Sequence, residues 1–352
     1  MSDALAPYRD AAVAIGRQAA ADYPELWRAE SLPEPIWRSL ADAGLLGLST
    51  APEHGGAGLS TDAIGRIARD FVRASGVKGL VTIWQAHNLM ADWIFGRFAT
   101  PAQQAQYLPM IAAGAATAAF AVSEPGRGAH PKLLATTAMQ SDGYWVLNGE
   151  KAYVTNGPIA TVFAIVAVVD EDASGRKQFG AFLVPRDTPG LSILPSAHVD
   201  FLKPSGHASL QLQDVRLPQS ARLTDLTDIY PTMVLPLRDH EDAPGAWARL
   251  GGYERLAAAV AATADGAMAA GGLAARLRAV AAVLEHDPTA DGLLAARAIL
   301  GDVAALLGDG LEGLSPADGA LLTDLAKLGG VARYAVDARF KALGQRLLDC
   351  DS

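Results

Sequence analysis

Cysteine is almost missing from this sequence. Its one cysteine, Cys350, stands two places from the end of 352 residues, which excludes an internal disulfide and a thiolate metal site. Long apolar runs are missing as well. No stretch approaches the roughly 18 to 20 residues that cross a bilayer, and the opening MSDALAPYRDAAVAIG puts acidic and basic residues where a signal peptide needs a basic and then an apolar region. The expectation is a cytoplasmic chain with no membrane span. Clusters of positive charge are scarce too: 29 Lys and Arg face 38 Asp and Glu, for a net charge of −9. With no basic run to neutralise successive phosphates, nucleic acid is not an expected partner. The seven histidines include no HExxH pair, so no metal is expected.

What is present is a folded chain, half apolar and only 19% charged, long enough for two or three domains. The first 115 residues carry helical periodicity. Ser31 and Ser60 stand as candidate N-caps before residues 33–44 and 61–74, and a helix is expected over 79–95. Thr100, Pro101 and Gln103 form a capping box ahead of the next helix. From residue 117 to about 222 the period changes to two, with a continuous apolar run at 161–169 and alternation at 209–218. Three turn signals fall close together, Glu124-Pro125-Gly126, Asp142-Gly143 and Asn148-Gly149. Alanine-rich helical sequence then runs to the end.

The fold expected is therefore α+β: an N-terminal helical bundle over 1–116, a small β-barrel or sandwich over 117–225, a linker over 226–245 and a C-terminal helical bundle over 246–352. The linker assignment rests on the charged segment 238–242 and on Pro244-Gly245.

That order resembles the acyl-CoA dehydrogenase family, a flavoprotein family. LPEPIWRSLADAGLLGL (32–48), EHGGAGLS (53–60) and FATPAQQAQYLPMIAAG (98–114) look like its N-terminal segments; AAFAVSEPGRG (118–128), VLNGEKAYVTNG (146–157), FLVPRDTPGLS (182–192) and LQDVRLP (212–218) look like its β-domain signatures. The resemblance implies FAD and the α,β-dehydrogenation of an acyl thioester, carried on CoA or on a carrier protein. Phe120, Val122 and Ser123 would face the flavin ring, with Tyr153, Val154 and Thr155 as a second wall; the hydroxyls of Ser123 and Thr155 would touch the ring. Tyr153 stands where the family usually has Trp.

Ala129 and His130 occupy the loop where the family has a serine that helps to hold substrate or flavin. Trp84 and Met90 fall in the region that lines its acyl pocket. Glu254, in GGYERL, matches the Glu-Arg-Leu segment that carries the catalytic base in some members, where a partly desolvated carboxylate accepts a proton near neutral pH. An electron-transfer flavoprotein would accept the electrons, and the chain would act as a homo-oligomer or beside a related subunit.

Two departures stand out. The family's Arg-x-x-Phe-Gly motif, which reaches the flavin pyrophosphate, is absent after residue 250, and the closing region is shorter than the family's. They leave open one alternative, a catalytically degenerate or partner-dependent subunit that shares a flavin site with another chain; a second alternative, a flavin oxidase or monooxygenase on the same fold, is what the resemblance to the family also implies.

Overall fold

The computed structural model describes residues 4–196, 199–262, 266–287, 289–308, 314–330, 337 and 339–341; Cys350 lies outside them. Helices come first: α1 (Ala6–Asp22), α2 (Glu34–Asp42), α3 (Thr61–Ser75), α4 (Lys78–Met90) and α5 (Pro101–Ala112). Seven strands follow: β1 (Ala118–Ala121), β2 (Thr137–Ser141), β3 (Tyr144–Thr155), β4 (Val162–Glu171), β5 (Lys177–Pro185), β6 (Leu191–Pro195) and β7 (His207–Pro218). Four helices close the described chain: α6 (Leu237–Ala261), α7 (Gly266–His286), α8 (Ala290–Gly308) and α9 (Pro316–Gly330). Among the described residues, no helix is long and apolar enough to cross a membrane.

The chain divides into two compact units. One gathers Met1–Ala29, Gly65–Val81 and Glu241–Ser352, and the other gathers Glu30–Ile64 and Thr82–His240. In the helical unit, glycines set the approach of the helices. A Cβ at Gly16 of α1 would meet Phe71 of α3 at 3.1 Å, and one at Gly251 of α6 would come within 2.0 Å of the Arg69 carbonyl on α3. The last part of the linker expected over 226–245, from Leu237 on, is instead part of α6, with Pro244 inside the helix. Tertiary packing overrides the local breaker signal: Ala246, Trp247, Leu250 and Tyr253 form a buried stripe at helical spacing. Trp247 packs so tightly on Gly65 that a Cβ there would lie 2.7 Å from its ring.

In the second unit all seven strands form one sheet, in the order β1-β4-β2-β3-β7-β6, with β5 on the other edge of β4. β4 is the central strand and explains the apolar run at 161–169. Val162, Ala164 and Val166 enter one core with Met90, Trp93, Leu108 and Ile111. Phe163, Ile165 and Ala167 enter the other with Trp145, Phe182 and Leu210. A strand covered on both faces needs apolar residues at every position.

Local signals hold where one turn decides them. The Thr100–Gln103 capping box is complete, Ala63 N–H donates to Ser60 Oγ at 3.3 Å, and Asp142 and Gly143 (φ 51° and 79°) close the β2–β3 hairpin. Ser31 does not cap α2, whose N-cap is Pro33. Asn148-Gly149 is a bulge within β3 rather than a turn. Gly149 takes φ 142°, and Thr136 crosses it so closely that a Cβ would lie 2.6–2.8 Å from that residue. The site requires Gly for a contact from a neighbouring segment, not to reverse the chain.

Candidate functional site

Leaving β1, the chain turns tightly through Glu124–Gly128, bridged at its ends, with Gly126 and Gly128 at φ 69° and 59°. The turn is anchored from below by Lys151 of β3. The Lys151 side chain is fully buried and that of Glu124 is 3% exposed. Lys151 Nζ donates to the Val122 carbonyl and to Glu124 Oε1, each at 3.0 Å. The Glu124 carboxylate also accepts the N–H groups of Ala135 and Thr136, both at 2.8 Å. Ala152 N–H donates to the Ser123 carbonyl at 2.8 Å. Three consecutive residues, 122 to 124, are thereby fastened to β3.

Both charges are held. Burial alone would raise the Glu124 carboxyl, but Lys151 and the donors from Thr136 and Ala135 outweigh it and bring the pKa to about 2. Burial lowers the Lys151 ammonium to about 8, with Glu124 opposing the fall. The pair is ionised at neutral pH.

The far end of β3 supplies a second strip. The register of β3 against β7 shifts between Lys151 and Val154. Tyr153 sits in this irregularity at φ 58°, 44% exposed. Val154 turns into the sheet core, and Thr155 points to the opposite face. Among the described residues the hydroxyls of Ser123 and Thr155, both part-exposed, have no hydrogen-bond partner.

Four of the residues singled out in this unit meet at one core. Val122 and Met90 share a core cluster, with Phe120 and Ala129 packed against it. The Ala129 carbonyl accepts the Tyr230 hydroxyl at 2.6 Å, and His130 is exposed. Trp84 is different: it has no exposed surface, and its indole N–H donates to the Leu45 carbonyl at 2.8 Å. It is a core residue, which corrects the expectation that it lines a binding pocket.

Glu254 lies in the helical unit, on α6. Its two carboxylate oxygens both face Arg69 of α3: Nε is 2.9 Å from Oε2 and Nη2 is bonded to Oε1. Arg73 Nη1 stands 4.0 Å from Oε2. Arg255, next along the helix, pairs with Asp318 of α9 at 2.7 Å. Arg73, Glu254, Arg255 and Asp318 border a cavity of about 720 Å³ floored by alanines of α6 and α7. The bidentate fork leaves Glu254 an occupied acceptor.

Lys151, Glu124 and Arg69 are the residues that sequence alone did not single out. A lysine within the alternation of β3, at a position facing the interior, is the one signal that marks the first.

Two family models match the chain: the acyl-CoA dehydrogenase N-terminal domain over residues 3–115 and the middle domain over residues 119–215. Acyl-CoA dehydrogenase FadE12 of Mycobacterium tuberculosis is 29% identical over 186 residues, 53% of this chain and 47% of its own length. The chain thus spans about half the length of the curated relatives it matches. Among solved structures, butyryl-CoA dehydrogenase from Megasphaera elsdenii superposes with a TM-score of 0.84 at 18% identity, over 99% of both chains. The FAD complex of PigA does so with a TM-score of 0.81 at 21% identity, over 98% of this chain and 99% of the other. Both are likenesses of fold.

Proposed function

The chain belongs to the acyl-CoA dehydrogenase family, and on that premise we propose that it binds FAD and dehydrogenates an acyl thioester between its α and β carbons. The observation that carries this is the strip formed by Val122, Ser123 and Tyr153–Thr155. Its 122–123 backbone is fastened to β3 through Lys151 and Ala152, its 154–155 backbone pairs with β7, and two of its hydroxyls stand unpartnered. A flat heteroaromatic ring with acceptors along its edge suits such a strip, which offers donors on a backbone that need not rearrange. When bound, the flavin would supply the hydride-accepting chemistry. The chain's part is to hold the ring flat, present the Ser123 and Thr155 hydroxyls to it, exclude water with the Phe120, Val122 and Met90 cluster, and accept the α-proton at the Glu254 carboxylate. Electrons would leave to an electron-transfer flavoprotein. The test is the visible absorbance of purified protein with and without added FAD: a bound-flavin spectrum supports the proposal, and none at saturating FAD overturns it.

A second reading has its own observation. Both oxygens of Glu254 are engaged by Arg69, and the sequence after residue 250 lacks the arginine motif that serves the flavin pyrophosphate in the family. Both features suit a subunit that completes its flavin site, or its catalysis, with a related chain. Protein that is colourless alone and yellow when co-expressed with a family member would favour it.

A further inference from the structure

We propose that His207 is a further contact residue of the flavin edge, working beside Thr155; this deepens the FAD reading above and rests on it. The two residues are direct partners in the antiparallel register of β3 and β7, which puts their side chains on one face of the sheet with Cβ atoms about 5 Å apart. Their chain neighbours Val154 and Ala208 point together into the opposite, core face, which fixes the face that Thr155 and His207 share. Whatever meets the Thr155 hydroxyl therefore passes within reach of the imidazole.

The imidazole has unmet bonding capacity. Its Nδ1 is shielded from solvent and has no hydrogen-bond partner among the described residues. Leaving such an atom unpaired is costly, and native structures meet most such needs with a protein group, a water or a ligand. Around it the unmet need is concentrated: Ser205 Oγ and Ser196 Oγ are likewise buried without a partner. Ser205 precedes β7 by two residues, and Ser196 N–H donates to the His207 carbonyl at 3.1 Å. Burial lowers the imidazole's affinity for protons, so at neutral pH the ring is an uncharged donor and acceptor. That suits an edge whose nitrogen and oxygen atoms accept hydrogen bonds without a second full charge. The segment was legible only as part of an alternating strand, and nothing in the spacing of SGHASLQLQ marks the histidine; the cross-strand register does.

The test is an FAD titration of the apo-protein followed by flavin fluorescence and visible absorbance, on wild type, His207→Phe and His207→Gln, with circular dichroism to confirm folding. The Phe variant, of similar size without nitrogens, is expected to weaken FAD binding about three- to tenfold and to shift the flavin's visible bands. The Gln variant, which restores a donor and acceptor, is expected to recover most of both. Should the Phe variant fail to fold, His207→Ala is expected to give the same loss. A wild type that binds FAD with a folded Phe or Ala variant equal to it in affinity and band position overturns the His207 assignment alone. A wild type that takes up no FAD overturns the flavin reading and this inference together.

Discussion

Lys151 reaches across from β3 to hold Glu124 and the Val122 carbonyl at 3.0 Å each, with neither side chain open to solvent. Removing one member of such a pair strands the other as an uncompensated buried charge. Lys151→Met is therefore expected to lower stability by about 3–5 kcal/mol, read from urea unfolding. The double variant Lys151→Met/Glu124→Gln should recover part of that loss, because no charge is then left alone, although the N–H groups of Ala135 and Thr136 keep only a weaker acceptor. A single Met variant as stable as wild type would remove the anchor from this description.

The same pair sets a pH dependence. Glu124 titrates at about 2 in the folded protein against 4.5 ordinarily. The unfolded chain takes up its proton first as pH falls, so the stability this carboxylate contributes is complete above about pH 4.5 and is lost progressively toward pH 2. Lys151 runs the other way: folded at about 8 against 10.5 ordinarily, it is protonated more readily when unfolded. Its contribution therefore rises with pH between about 8 and 10.5. Urea midpoints across these windows check both signs, and Glu124→Gln should flatten the acid slope while leaving other carboxylates in place.

What the sequence made legible was whatever a single turn or a single strand decides. The Thr100–Gln103 capping box and the Asp142-Gly143 hairpin depend on residues three or four apart, and the apolar run of β4 announces burial on both faces. Asn148-Gly149 misleads because its glycine answers to Thr136, and the helix through Pro244 misleads because its stability comes from Trp247 packing on Gly65. The site divides the same way. Ser123 and Tyr153–Thr155 stand in recognisable segments. The burial of Lys151 depends on Glu124, 27 residues earlier, and the fork on Glu254 depends on Arg69, 185 residues away; no local pattern reports either.

Gly251 offers a test of helix approach. A Cβ there would lie 2.0 Å from the Arg69 carbonyl, against backbone that cannot turn aside. Gly251→Ala is expected to cost about 1–3 kcal/mol or more through overpacking, despite the gain in helix propensity. Gly245, on the same helix with nothing within 4 Å of its added Cβ, is the control: Gly245→Ala should be neutral or slightly stabilising. Thermal unfolding of the two variants separates steric approach from propensity.

Glu254 and Arg69 carry the last prediction, because their fork bears on the two functional readings differently. A carboxylate that accepts the α-proton must release an oxygen to the substrate, so Glu254→Gln should reduce turnover about 100- to 10,000-fold while bound flavin remains. Arg69→Met would leave the carboxylate part-buried with only the more distant Arg73 for charge, and should cost about 1–3 kcal/mol for a pair at this degree of exposure. In a dehydrogenase that uses Glu254, the Arg69 variant should also change the rate of turnover, since the group that positions the carboxylate is gone. In a chain where the pair only ties α3 to α6, both variants should lose stability together and leave any turnover supplied by a co-expressed partner at its original rate. Stopped-flow flavin reduction, measured alongside urea unfolding on the same preparations, distinguishes the two outcomes.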